Sequence, residues 1–377
     1  MRKLFKFRIP YHLKDYKFSL VILVLATSFL GVLVIGSANE EFQGKQIIGL
    51  ILGLIIMVVV SLIDYVWILN FYWVLYFMAV GMLALVLVPG IGVVRGGARR
   101  WINLGFMLFQ PSELAKILLI IFFAKFIMKH KDDLSDKKTI IKAVILIAIP
   151  LVFILEEPNL STTIATALLF CVLMYIGGLS YKFIGTVLLI TVPVAIIFLS
   201  IVVTPDQKLI DEYQQKRILA WLEPAKYASD EAYQSNNSVM AIGSGQLTGK
   251  GLNNNTTTSV KNGNFILEPQ TDFIFAIIGE ELGFVGCCLV ITLLLLIVIQ
   301  CILIGTRSPD LAGQILCTGV GSVIGIQMFI NIAVATQIFP NTGIPLPFVS
   351  YGLTSLVSLF IGVGIVLNVG LQSKKYQ

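Results

Sequence analysis

The sequence predicts an all-α polytopic membrane protein of about ten transmembrane helices, with both termini cytoplasmic and a long extracellular loop between helices 7 and 8. Two observations lead there. Apolar residues make up 57% of the 377-residue chain and charged residues 13%, against roughly 45–50% and about 25% in globular domains. The apolar residues are also gathered into runs near the ~20 residues that a helix needs to cross the hydrocarbon core. A water-soluble fold of this length has too little interior to hide so much apolar side chain. A bilayer can cover it.

The runs fall at 18–35, 47–63, 66–88, 114–127, 140–155, 160–176, 183–203, 273–304, 311–334 and 348–371. No Ala-x-Ala-type cleavage site follows the first, so it reads as a membrane span. Only Asp64 and Tyr65 separate the second run from the third, which leaves that boundary loose. The run from 273 is longer than one crossing requires and should tilt or project. One transmembrane domain is expected over 1–377, with an outer loop at 204–271 inside it.

Lysine and arginine set the orientation. Arg2, Lys3, Lys6, Arg8, Lys14 and Lys17 lie at the N-terminus, and Lys129, Lys131, Lys137 and Lys138 follow the fourth run. Lys182, Arg307, Lys374 and Lys375 continue the same side. The positive-inside rule places that side in the cytoplasm. The net charge of +6 therefore reports membrane orientation, not nucleic-acid binding. Arg95, Arg99 and Arg100 break the rule by falling outside, and an anionic ligand would account for them.

The 204–271 segment contains Pro205, Pro224, four glycines (Gly243, Gly245, Gly249, Gly251) and a polar run at 253–259. It is too polar to form a core of its own. Long structured loops of this kind are usually functional. The five cysteines, Cys171, Cys287, Cys288, Cys301 and Cys317, fall inside apolar runs with no Cys-x-x-Cys spacing and no neighbouring histidine. They read as small buried hydrophobes, with neither a disulfide nor a metal site expected.

Both histidines, His12 and His130, are cytoplasmic in this topology. Acid–base chemistry on the outer face must then use carboxylates, lysine or tyrosine. Asp272 precedes the long apolar run. It either caps that helix through its side-chain oxygen or serves as a partly desolvated base with a raised pKa. Glu280 and Glu281 lie two turns deeper, where an ionisable group is costly. They are either functional or paired with a basic residue of a neighbouring helix. Glu113 and Lys116 are three apart and share a helix face, so an internal ion pair is the favoured reading. Gln110-Pro111-Ser112 before them is a helix start. Glu156-Glu157-Pro158-Asn159 is a short outer loop, either simply solvated or a cation site. Residues 243–251 suggest a phosphate loop but fail the Walker A pattern, since Ser244 and Gly251 occupy positions reserved for Gly and Ser/Thr. A glycine nest with Lys250 remains a candidate for a lipid phosphate.

Several stretches together resemble one family. They are Gly97-Ala-Arg-Arg-Trp-Ile-Asn-Leu-Gly105 with Phe109-Gln-Pro-Ser-Glu-Leu-Ala-Lys116, and Ala241-Ile-Gly-Ser-Gly245 with Gly249-Lys-Gly251. To these are added Thr271-Asp-Phe-Ile-Phe-Ala276, Gly279-Glu-Glu-Leu-Gly283 and Gly343-Ile-Pro-Leu-Pro-Phe-Val-Ser-Tyr-Gly352. In this order, over nearly the whole chain, they resemble the SEDS family (shape, elongation, division and sporulation). Short termini and overall length are most similar to its elongation member, although the division and sporulation members share the motifs.

The resemblance implies a peptidoglycan glycosyltransferase that polymerises lipid II, an undecaprenyl-pyrophosphate-linked disaccharide-pentapeptide, on the outer face of the cell membrane. It implies a class B penicillin-binding protein, a transpeptidase, as partner. The family's essential aspartate falls on Asp272 and its important outer-loop tryptophan on Trp101. Arg99, Arg100, Lys250 and Ser350 join Trp101 as expected substrate-binding residues, with a divalent cation, Mg²⁺ or Mn²⁺, as the one expected cofactor. The chain departs from the family pattern at Asn159, where Asp is usual, at Gln270, where His commonly stands, and at Leu353, where Gly is usual. Two other functions compete: a lipid II flippase, since intramembrane carboxylates also suit a transporter, and a non-catalytic scaffold for the transpeptidase. The absence of a convincing inverted repeat weighs against the flippase.

Overall fold

The computed structural model describes residues 15–95, 98–105, 107–181, 185, 189, 193, 200–204, 212–227, 232–253, 259, 265–266 and 268–372. The expected seventh run, at 183–203, falls largely outside them, as do the first 14 and last five residues. The helices are α1 (Phe18–Ala38), α2 (Glu40–Leu62), α3 (Tyr65–Asn70), α4 (Tyr72–Leu87), α5 (Pro111–Lys129) and α6 (Lys137–Glu156). They continue as α7 (Leu160–Ile176), α8 (Glu212–Leu222), α9 (Tyr233–Ser244), α10 (Ile274–Thr306), α11 (Leu311–Ala335) and α12 (Leu353–Gln372). Among the described residues, six helices are long and apolar enough to cross a membrane, namely α1, α2, α6, α10, α11 and α12, while α4 and α7 are shorter apolar helices. The chain is a multi-pass membrane protein.

Three features differ from the sequence-based expectation. The third run is not one helix. Asp64 caps a six-residue α3 by accepting a bond from the Val66 amide at 2.9 Å, and the chain turns at Phe71 before α4. The last helix begins at Leu353, so 340–352 forms a non-helical segment packed inside the bundle. The third difference, from an all-α fold, is a small antiparallel sheet in the loop after α4, made of β1 (Gly92–Arg95), β2 (Ala98–Asn103) and β3 (Leu108–Phe109) in the order β1-β2-β3. Its β-branched and aromatic residues, Val93 opposite Trp101 and Ile102 opposite Phe109, are good cross-strand pairs.

The outward faces of α1, α2 and α4 carry exposed Ile22, Ile48 and Phe77, as expected where lipid is the solvent. Helix α5 is buried along nearly its whole length and forms the centre of the bundle. Helices α2 and α12 approach closely because Gly53 leaves room for the Phe360 ring, and a methyl at Gly364 would meet the Met57 carbonyl at 2.8 Å. In the expected outer loop, α9 packs on α10 and α11: Ser238 Oγ donates to the Ala335 carbonyl at 2.7 Å. A small apolar cluster of Ala241, Ile266, Phe273, Ala276, Ile330 and Ile344 holds that layer. The described part of the loop packs onto the bundle through this cluster.

Candidate active site

Asp272 lies two residues before α10, at one end of the bundle. The helix is capped at Phe273 with no side-chain cap bond, so the Asp272 carboxylate is not taken up in capping α10. Its backbone is clamped instead. Asn331 of α11 donates from Nδ2 to the Asp272 carbonyl at 2.8 Å and to the Ile344 carbonyl at 2.7 Å. Ser350 Oγ donates to the Thr271 carbonyl at 2.6 Å and accepts from the Leu346 amide at 2.8 Å, and the Tyr351 amide donates to the Gln270 carbonyl at 2.8 Å. The 343–352 segment is thereby stitched to 270–272, and Ser350 is part of the stitching.

Two cations stand beside the carboxylate. A methyl group at Gly343 would sit 3.2 Å from Asp272 Oδ2 and 3.8 Å from Arg100 Nη1, so carboxylate and guanidinium border the same small space. Arg217 of α8 also acts on Asp272, and its Nη1 donates to the Asn341 carbonyl at 3.2 Å. Burial pushes the Asp272 pKa up, the positive charges of Arg217 and Arg100 pull it back, and Glu268 adds to the rise. The net direction is upward.

The strand explains why one arginine reaches this space and its neighbour does not. Burial alternates along β2, with Ala98 and Arg100 buried and Arg99 and Trp101 half-buried, while the register against β1 slips at Arg100, which falls between the Val94–Arg99 and Val93–Trp101 pairs. Arg100 is buried, with Nε donating to the Glu157 carbonyl at 3.2 Å and Nη2 to that of Pro158. Arg99 points back and donates from Nη1 to the Leu87 carbonyl at 3.1 Å, near the negative end of α4. Trp101 is half-buried opposite Val93.

The remaining acidic candidates are held elsewhere. Glu113 and Lys116 pair at 2.7 Å inside the bundle, where Gln327 Nε2 also donates to Glu113 at 3.2 Å. Lys250 pairs with Glu280 at 2.8 Å, and Glu281 accepts from Ser37 Oγ at 2.5 Å. Helix α10 is broken at Gly283 (φ 65°, ψ −163°), which strips carbonyls and amides of their intrahelical partners. The glycine-rich loop satisfies them. Lys250 and Gly251 amides donate to the Glu280 and Glu281 carbonyls at 3.0 and 2.9 Å, while Phe284 and Val285 amides donate to the Gln246 and Leu247 carbonyls at 2.8 and 3.1 Å. This loop binds a broken helix with the groups that a phosphate nest would have offered.

Sequence reasoning missed Arg217, Asn331, Gly343 and the burial of Glu157. Asn331 carried a usable signal, a carboxamide in an apolar helix. Arg217, one cation in a long polar loop, carried none. Glu157 is fully buried, with no hydrogen bond to either carboxyl oxygen among the described residues.

Fold and site define a polytopic membrane protein with a carboxylate flanked by arginines at one end of its helical bundle. The chain belongs to the FtsW/RodA/SpoVE family of cell cycle proteins, whose model matches residues 11–375. It is 33% identical over 364 residues to the peptidoglycan glycosyltransferase MrdB of Escherichia coli strain K12, covering 94% of each chain. Among solved structures, it resembles a chain described under "Structural coordination of polymerization and crosslinking by a peptidoglycan synthase complex", with TM-score 0.81 and 26% identity over 96% of this chain and 99% of that one. It also resembles the rod shape determining protein RodA of Thermus thermophilus, with TM-score 0.68 and 25% identity over 95% and 98% of the two chains.

Proposed function

We infer that this chain is a peptidoglycan glycosyltransferase that polymerises lipid II at the outer face of the cell membrane during cell elongation, with Asp272 as general base. The observation that carries the catalytic assignment is the Asp272 carboxylate, raised in pKa and facing the same space as the Arg100 guanidinium. The acceptor sugar hydroxyl gives its proton to Asp272, and its oxygen attacks the anomeric carbon of the donor. The bond from that carbon to the lipid pyrophosphate breaks. Arg100 and Arg217 lie where they can offset the charge released on the phosphates. A raised pKa brings the base closer to the operating pH, which favours proton transfer.

Positive-inside orientation supports the outer face. Asp272, Arg100 and the loop that holds Arg217 share one end of the bundle, while Lys129, Lys137 and Arg307 lie at the other ends of their helices. The similarity to a chain from a peptidoglycan synthase complex that coordinates polymerization with crosslinking supports a class B penicillin-binding protein as partner. A divalent cation would have Asp272 as its protein ligand here. Among the described residues, no three His, Cys, Asp or Glu side chains gather into a metal cage. Phosphate oxygens of the substrate would have to complete the shell.

Asp272→Asn keeps the size and removes the basicity. Polymerisation of lipid II by the purified protein should fall by roughly 10²-fold or more, with melting temperature and lipid II binding retained. Assays with and without the transpeptidase also separate enzyme from scaffold, and vesicle translocation separates enzyme from flippase. A stable Asp272→Asn protein that polymerises at near the parent rate ends the assignment.

A further inference from the structure

A second polar cavity lies at the far end of α10 from Asp272. It measures about 220 Å³ and is lined, among the described residues, by Lys17, Ser19, Gln300, Leu303 and Arg307, with Gly370 in its wall. Three helix ends meet there. Lys17 is the residue before α1, Arg307 the residue after α10, and Gly370 belongs to the last turn of α12. No acidic residue is among the described lining residues. The Lys17 stem is packed against α12, since a methyl at Gly370 would meet its Cγ at 3.2 Å.

The charge arrangement is unbalanced. Among the described residues, neither the Lys17 nor the Arg307 side chain has a hydrogen-bond or ion-pair partner, although both line the same cavity. Arg307 at a helix C-terminus is favoured by the helix dipole, whereas Lys17 at a helix N-terminus is opposed by it. Two such cations in one cavity, one of them at the wrong end of its helix, call for an anion. The surroundings say what kind. Leu303 of α10 lines the cavity and is exposed, Ile304 lines it too, and Phe18, between the lining residues Lys17 and Ser19, is an exposed apolar side chain. A ligand seated there would have its charge between Lys17 and Arg307 and an apolar portion along these residues.

We propose that this cavity binds the headgroup phosphate of an anionic phospholipid on the membrane face opposite Asp272, with Lys17 and Arg307 holding the phosphate and Ser19 and Gln300 its polar substituents. Basic pockets between transmembrane helices are a general form of lipid headgroup recognition. The site is separate from the glycosyl-transfer site and stands whether or not that reading holds. Its consequence is mechanical: a lipid bridging α1, α10 and α12 ties together three helices that also frame the other end of the bundle.

The test uses the full-length protein in detergent, titrated with dioleoylphosphatidylglycerol, dioleoylphosphatidylcholine or inorganic phosphate, and followed by native mass spectrometry and thermal melting. The phosphatidylglycerol should give a saturable adduct and raise the melting temperature above that seen with phosphatidylcholine. Affinity should fall roughly fivefold for each cation removed in Lys17→Gln and Arg307→Gln, as expected for a basic residue at an anionic membrane surface. Arg307 is exposed, so Arg307→Gln alone should fold even if the double variant does not. Lys137→Gln with Lys138→Gln, at the same end of the bundle but outside the cavity, should leave affinity unchanged. Equal adducts with phosphatidylcholine would overturn the proposal, as would undiminished phosphatidylglycerol binding by Arg307→Gln. Stabilisation by inorganic phosphate equal to that by the lipid would show a free-anion site and overturn the lipid assignment.

Discussion

Gly343 and Glu157 show how single residues tune the Asp272 neighbourhood. Gly343 holds φ 70°, and the space left by its missing side chain is bordered by Asp272 and Arg100. Gly343→Ala adds a methyl 3.2 Å from Asp272 Oδ2 and places a Cβ in the left-handed region, at a cost of about 1–2 kcal/mol. Its kcat/KM for lipid II should drop well beyond the modest loss in melting temperature. Equal activity in the two proteins would show that the space is not used. Glu157 offers a pH test. Burial lifts its carboxyl to about 8 against the pull of Arg100. The folded state thus binds more protons than the unfolded one between the ordinary glutamate value and about 8. Stability should fall as pH rises through that window and level off above it. Glu157→Gln should flatten the slope and melt higher than the parent protein above pH 8; an unchanged slope would place the titration elsewhere.

At the scale of elements, buried ion pairs and a broken helix set the positions of the framing segments. The Glu113–Lys116 pair lies on the central α5, where a single unpaired charge would be left in an apolar bundle. Removing one partner of such a pair typically costs about 3–5 kcal/mol, much of it the penalty on the charge left behind. Glu113→Ala and Lys116→Ala should each lower thermal stability strongly, and the double variant should cost less than their sum. Strict additivity would show that they do not couple. Helix α10 illustrates a different arrangement. A break at Gly283 is tolerated in a membrane because the 246–251 loop bonds every one of the carbonyls and amides named at the break. Lys250 and Glu280 add an ion pair to that joint, which fixes α10 just below Asp272.

For the whole molecule, the decisive quantity is which end of the bundle faces outward. Leu247 is exposed in the loop that braces α10, and Ser135 is exposed between α5 and α6. In a background cleared of native cysteines, Leu247→Cys should react with an impermeant thiol reagent in intact cells lacking an outer-membrane barrier. Ser135→Cys should react only after lysis. The reverse pattern would move Asp272 to the cytoplasm and remove the outer-face reading of the reaction. The asymmetry between the two ends is physical: basic loops resist translocation, so the Lys-rich end is the one expected to stay inside.

Composition and run length by themselves determined that this chain crosses a membrane many times, because the bilayer's thickness imposes a length that any sequence can be read against. They also determined the candidate carboxylates, since an acid near a long apolar run is rare enough to stand out, and the Glu113–Lys116 spacing, since helix geometry makes residues three apart neighbours. The motif order was enough to recognise the family. Only the tertiary structure decided which candidates meet. The bulged strand of the small sheet turned Arg100 inward and Arg99 away, and no period in the sequence announced a sheet in that loop. Arg217 came to Asp272 from a helix some 55 residues earlier, and Gly343 and Asn331 from beyond α10, through contacts that depend on chain packing and leave no local pattern. The glycine loop weighed as a candidate lipid-phosphate nest braces a broken helix, its amides bonding the Glu280 and Glu281 carbonyls. Local spacing is written in the chain; the partners that a buried polar group finds are set by which distant segments the bundle brings alongside it.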